Sequence, residues 1–216
     1  LIGRGIDSVV LAKKESAISQ KLKDEKLPFK EMPFRSAYDL RTAYQIKTIA
    51  NIQKIDIIHA HTAKGHTLVM LAKLLGLKSK IIVSRRVDVP VKKNWFSRYK
   101  YNHLRVLKII CVSNKIKEIT SLGVTNSSRL VTIHSGVDLK KFKQIKQNTI
   151  RNEFRIPQET FIIGNISALA LHKGLPNFLR MAKKLVDVRN NLIFIVVGEG
   201  EEQPKIESLI QEYGLQ

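Results

Sequence analysis

Short apolar runs alternate with segments of helical period along most of the chain. Ser8 to Ala12, Ile55 to Ala60, Lys80 to Ser84, Lys108 to Val112 and Leu130 to Ile133 read as strands. Between them, Lys14 to Leu27, Leu40 to Ile52 and Gly65 to Leu75 carry apolar residues at helical spacing. Pro28 ends the first of these helices and Gly76 the third. Ser113 suits the N-cap of a further helix that runs to Leu122 and stops at Gly123. The strands are nearly continuous apolar runs, the mark of strands covered on both faces in a parallel sheet.

The rhythm breaks over Lys140 to Arg155, a polar stretch read as a connection with one short helix. It restarts with a strand at Phe161 to Ile166, a helix with Leu175, Phe178, Leu179, Ala182, Leu185 and Val186 on one face, and a strand at Leu192 to Val197. A last helix runs from Pro204 to Tyr213, with proline at its start and Gly214 at its end. The expected organisation is therefore an α/β unit over residues 1–142, a linker over 143–156, and a second, incomplete α/β unit over 157–216. The chain opens Leu1-Ile2-Gly3-Arg4-Gly5, without an initiator Met, and reads as one whose start is missing.

Charge adds a second asymmetry. The net charge is +20, and residues 1–150 hold 30 basic and 10 acidic side chains, whereas 151–216 hold eight of each. The first part must therefore attract polyanions: nucleic acid, anionic lipid or a phosphorylated substrate. No run reaches the roughly 18 apolar residues of a membrane-spanning helix. The single Cys111 excludes a disulfide framework or a cysteine-rich zinc site.

Open parallel sheets bind ligands outside the carboxyl ends of their strands. The residues there are His61 to Gly65, Arg85 to Asp88, Ser113-Asn114, His134 to Asp138, Ser167 to Gly174 and Gly198 to Glu202. The dinucleotide pattern of three glycines fails, since Gln203 stands at its third position. Neither a P-loop nor a Gly-x-Ser-x-Gly elbow occurs. His59 and His61 share a strand face but have no evident third ligand, so no metal site is expected.

Four segments resemble the retaining nucleotide-sugar glycosyltransferases of family 4, also called group 1, which have the GT-B fold of two Rossmann-like domains. They are Asp56-Ile57-Ile58-His59-Ala60-His61, Ile110-Cys111-Val112-Ser113, Ser135-Gly136-Val137-Asp138 with Phe142, and Ile166 to Gly174 with Val197-Gly198-Glu199-Gly200. The resemblance implies an acceptor domain before the linker and a nucleotide-sugar donor domain after it. It places Ser167, His172, Lys173, Gly198, Glu199 and Gly200 on the donor, with Lys173 cradling the diphosphate. Ala168 stands where the family usually has an arginine. On the acceptor side it implies His61, Lys64, Arg85, Asp88 and Ser113, and Arg86-Val87 stands where the family often has His-Gly. Arg86 is then the expected catalytic residue. The implied reaction moves a sugar to a cell-envelope glycolipid, polysaccharide or other phosphorylated acceptor, with no cofactor and no metal.

A fixed cation at the leaving diphosphate suits this chemistry, because charge grows there in the transition state. The expected setting is cytoplasmic and peripheral on an anionic membrane, with Lys92, Lys93, Trp95, Phe96, Arg98, Tyr99 and Lys100 on the lipid. The chain alone is expected not to catalyse transfer. Two rival classes remain, a nucleic-acid-binding protein and a nonenzymatic ligand-binding module on the same fold. The aromatics are too scattered among the cations for a single-strand stacking run, so nucleic acid is not an expected partner.

Overall fold

The computed structural model describes residues 5–142 and 149–215. The chain forms two compact units, Leu1–Val137 and Asp138–Gln216. In the first, β1 (Val10–Lys13), α1 (Ala17–Asp24), β2 (Phe29–Met32), α2 (Leu40–Ile52), β3 (Ile57–Ala60) and α3 (Ala63–Leu74) follow one another. Then come β4 (Lys80–Arg85), α4 (Trp95–Asn102), β5 (Val106–Cys111), α5 (Asn114–Ser121) and β6 (Leu130–Thr132). The second unit holds α6 (Thr149–Glu153), β7 (Phe161–Ile166), α7 (Leu175–Val186), β8 (Leu192–Val197) and α8 (Gln203–Glu212).

Every strand pair is parallel. β1 pairs with β2, β7 with β8, and β3 to β6 form one sheet in sequence order. The helices start where their capping residues dictate. Thr62 accepts from the Gly65 amide, Asn94 from Ser97 and Ser113 from Ile116. The expected stops also hold, with Gly76 and Gly214 taking positive φ just past α3 and α8.

Two cores match the two units. The larger gathers Ala43 and Ile46 of α2, Leu68 and Met70 of α3, and Ile81, Val106 and Ile109 of the central strands. The smaller gathers Leu169, Leu175, Leu179 and Ile206. Together these residues bury the apolar faces that the sequence pattern displays, at about 1.5–3 kcal/mol per large side chain.

The structure departs from expectation in three places. β2 and α4 were not expected, since Phe29-Lys30-Glu31-Met32 is half charged and Trp95 to Asn102 has no clean apolar stripe. The first helix is shorter than its pattern, because Ser16 caps it and accepts from the Ser19 amide. The expectation of strands covered on both faces fails at the sheet margins. Ile57 of β3, Phe161 and Ile166 of β7 and Val197 of β8 are exposed, while the inner strands β4 and β5 hold the fully buried Ile81, Val106 and Ile109.

Candidate functional site

The parallel order β3-β4-β5-β6 brings the strand ends of the first unit to one edge, with Ala60 beside Val83, Arg85 beside Cys111 and Cys111 beside Thr132. Residues that follow these strands therefore share that edge. The rings of His59 and His61 lie 4.0 Å apart, as their spacing of two on a strand requires. His59 Nε2 meets Ser84 Oγ at 2.8 Å. Partial burial, then the neighbouring His61 and Arg86, push the His59 pKa down to about 4. Burial and Arg86 lower His61 as well. Both imidazoles are thus neutral near pH 7 and able to accept or donate a proton without a competing charge. Arg86 itself is exposed beside them.

The adjacent Arg85 behaves differently. Its side chain turns inward, donates to Tyr101 Oη at 3.1 Å and to the Val89 carbonyl, and so straps the loop after β4 to the body of the unit. Lys100 is equally buried and donates to Thr67 Oγ1 at 3.1 Å. Each cation lies 5.6 Å from the Tyr101 ring centroid. Among the described residues no carboxylate pairs with either. His66, fully buried, meets the Lys100 carbonyl at 3.0 Å through Nε2. A carbonyl only accepts, so Nε2 carries the proton and Nδ1 is left as a lone pair without a partner.

The remaining first-unit candidates divide by role. Ser113 is engaged as the N-cap of α5, so its hydroxyl serves the helix. Lys64, in the first turn of α3, and Asp88, in the loop after β4, are exposed. His134, beyond β6, meets the Val112 carbonyl at 3.1 Å.

In the second unit the site is built from backbone. The loop after β7 runs against the turn after β8. Ser167 N–H donates to the Val197 carbonyl at 3.1 Å, Leu169 N–H to Glu199 at 2.9 Å, and Glu202 N–H back to Leu169 at 3.0 Å. A Cβ on Gly198 would stand 1.9 Å from the Ser167 carbonyl oxygen, and one on Gly200 2.4 Å from that of Leu169. Only glycine admits this approach. Ser167 Oγ donates to Asn165 Oδ1 at 2.9 Å. The buried Leu169 side chain anchors the loop in the core.

Beyond that anchor, Leu171–Lys173 make one 3-10 turn, and Gly174 in the left-handed region, at φ 66°, starts α7. No side chain caps this helix start. His172, Lys173 and Glu199 are all exposed around it. An uncapped helix start with an adjacent lysine is suited to a phosphate.

Sequence reasoning did not single out Ser84 or Tyr101, and it did not link Lys100 to Thr67. Their links to His59, Arg85 and Thr67 are tertiary, and spacing carries no trace of them. Lys100, expected on a lipid-facing surface, is instead buried, and Tyr99 is half-buried against the main core.

Residues 1–141 match the model of "Glycosyltransferase Family 4", and residues 146–216 that of "Glycosyl transferases group 1". An Escherichia coli UDP-Gal:alpha-D-GlcNAc-diphosphoundecaprenol alpha-1,3-galactosyltransferase is 24% identical over 177 residues, 76% of this chain and 45% of the relative. A glycosyltransferase from Rickettsia africae superposes with a TM-score of 0.77 at 19% identity, over 100% of this chain and 59% of that one. Anabaena HepE in complex with UDP gives 0.76 at 15% identity, over 96% and 58%. The chain spans about half the length of the curated relatives it matches.

Proposed function

Since the chain belongs to glycosyltransferase family 4, with the paired α/β units of the GT-B fold, we propose that its parent protein transfers a sugar from a nucleotide-sugar donor to a cell-envelope acceptor, with retention at the anomeric carbon. The observation that carries the reading is the second unit's loop, held backbone to backbone by Gly198 and Gly200. This packing fixes where the uncapped start of α7 and Lys173 stand, and a diphosphate needs such a fixed donor set.

In the proposed reaction the bond from the anomeric carbon to the diphosphate oxygen breaks. An acceptor hydroxyl oxygen bonds the same carbon, and its proton leaves with the nucleoside diphosphate. Lys173 and the first amides of α7 stabilise the charge that grows on the leaving oxygen. His172 adds a donor in the place of the family's usual arginine, where this chain has Ala168. Ser167 and Glu199 shape the same loop. The first unit takes the acceptor. Its contacts are Arg86 as the fixed charge, neutral His61, and Lys64 and Asp88 at the rim, with Arg85 holding the loop that carries Arg86.

The solved Anabaena neighbour binds UDP, and another of its structures holds UDP-glucose, which favours a UDP-sugar here. The E. coli relative's lipid diphosphate favours a lipid-linked acceptor. The test is to incubate the whole protein with UDP-hexoses and polyprenyl-diphosphate sugars and to read the product by NMR. An axial linkage from an axial donor supports the reading. Donor consumption without a glycoside, or an inverted linkage, overturns it.

A further inference from the structure

Arg86, the fixed charge proposed for the acceptor, has nothing of its own to hold it. Among the described residues no hydrogen bond or ion pair fixes its side chain. Its place is therefore set by the backbone of the loop that carries it. We propose that Val91, seated against Gly123, is the latch that sets that backbone, which makes Val91 and Gly123 positioning residues for acceptor binding. The inference rests on the reading of Arg86 given above.

The loop runs from Arg86 to Asn94, between β4 and α4, and Val91 is its only buried residue. Three valines stand there at alternate positions, and only one is taken in. Val91 is 8% exposed and belongs to the main core, whereas Val87 and Val89 are 54% and 56% exposed. The strap from Arg85 to the Val89 carbonyl is a hydrogen bond to a single atom, about which the loop can still turn. A buried apolar side chain two residues further on removes that freedom.

The niche for Val91 exists because residue 123 is glycine. A Cβ there would stand 2.6 Å from Val91 Cβ and 2.9 Å from its Cγ1. Gly123 does not take a positive φ, so room, and not backbone conformation, requires glycine at this helix stop. The floor of the niche is braced. The Gly123 carbonyl accepts from Asn102 Nδ2 at 3.0 Å. Asn102 Oδ1 accepts from the amide and the hydroxyl of Thr125 at 2.7 and 2.9 Å, and Val124 between them is buried. Asn102 is the last residue of α4, and Asn94 caps the start of the same helix. The helix that begins where the loop ends thus grips, at its far end, the glycine on which the loop rests. A methyl added at residue 123 meets a braced floor, so the loop is the part that moves.

The test uses the whole protein with Gly123→Ala, which fills the niche, and Val91→Ala, which partly empties it, so that the second decides if the first fails to fold. Brief trypsin treatment read by mass spectrometry gives the rate of cleavage after Arg86, which reports opening of the loop without reference to sugar transfer. We expect cleavage there to be about tenfold faster in each variant, while cleavage after Lys47 within α2 stays slow. In transfer assays, kcat/KM for the acceptor should fall about 10²-fold in Gly123→Ala, and KM for the nucleotide-sugar should not change. Neither substitution should cost anything further in Arg86→Ala, because both act through that side chain. Unchanged cleavage after Arg86 overturns the latch. A loss of transfer as large in Arg86→Ala as in the presence of Arg86 overturns the positioning role. Undiminished transfer in Arg86→Ala alone overturns the acceptor role of Arg86, and acceptor positioning with it, while the cleavage rates still decide the latch.

Discussion

The strand-end edge of the first unit and the loop of the second are built by opposite means. In the first, side chains do the positioning. Arg85, Lys100 and His66 are buried around Tyr101, and a strap from Arg85 holds the loop that carries Arg86. In the second, backbone does it. Two glycines let one turn lie directly against another, and the candidate side chains His172, Lys173 and Glu199 stand exposed. A backbone-built site tolerates change in its exposed residues without loss of fold, so a substitution there reports on chemistry. A side-chain-built site couples its charges to stability, so a substitution there reports on both.

The largest effect that sharpens this contrast is at Lys173. Lys173→Ala removes the exposed cation beside the start of α7 and should lower turnover by roughly 10²–10³, comparable to losing one oxyanion donor. The unfolding temperature should not move. A fall of less than about threefold, a small part of the range expected for such a donor, breaks the assignment. A large drop in stability would instead show that Lys173 is structural.

Next comes the backbone itself. Gly198→Ala places a methyl where the Ser167 carbonyl oxygen stands, so one of the two turns must shift. A misplacement of about 1 Å at a reacting centre can cost about 10²-fold in rate. The same substitution should destabilise the second unit by roughly 1–3 kcal/mol as an overpacking change. The first unit's melting should be untouched, which calorimetry of the two transitions can read. Equal turnover in Gly198→Ala would mean that the loop position does not matter to the reaction.

The elements of this contrast were unequally legible in the sequence. Helix caps and stops are local, so Ser113, Gly76 and Gly214 announced themselves. Gly198 and Gly200 were visible as a pair after an apolar run, but not their reason, which is the approach of a loop some thirty residues earlier. β2 was hidden because Lys30 and Glu31 point outward from a strand with only Met32 buried. Lys100 was misread for a related cause. Its neighbours Lys92, Lys93 and Arg98 are surface cations, and nothing in the spacing says that this one turns inward to Thr67. Arg85 and Arg86 are chemically identical on paper, and alternation along the strand end sends one inward and leaves the other exposed.

The buried side of the contrast yields a pH prediction. Burial first, then the nearby Lys100, hold the His66 pKa down to about 3, against the 6.5 of an unfolded chain. Below pH 6.5 the unfolded chain therefore binds a proton that the folded one refuses. The stability from neutral His66 is complete above that pH and is lost as pH falls toward 3, by up to about 1.4 kcal/mol per pH unit. Thermal melts between pH 7 and pH 5 should show the loss, and His66→Gln, which keeps a donor for the Lys100 carbonyl, should flatten it. An equal slope in the variant would assign the effect to other groups.

The smallest effect is the most counterintuitive. Lys100 and Arg85 are both 8% exposed, and each lies against the Tyr101 ring. Burial and the charge of Arg85 both lower the Lys100 pKa, so the folded state holds this cation at a cost. Its return is one bond to Thr67 Oγ1 and the face of a shared ring. Thr67 does not need it, since its hydroxyl also donates to the Ala63 carbonyl at 3.1 Å. Lys100→Met keeps the length and apolar stem of the side chain and removes the charge. Replacing a buried charge by a well-packed apolar group is often neutral or stabilising. We expect a gain of about 1 kcal/mol, a rise of roughly 2–4 °C in Tm for a chain of this size. Removing the positive charge beside His66 should also raise the His66 pKa and so weaken the acid-side loss of stability. Both readings come from one set of melts across pH. A lower Tm in Lys100→Met would show that its contacts outweigh its desolvation, and the first unit's charges would then have to be counted as supports of the fold.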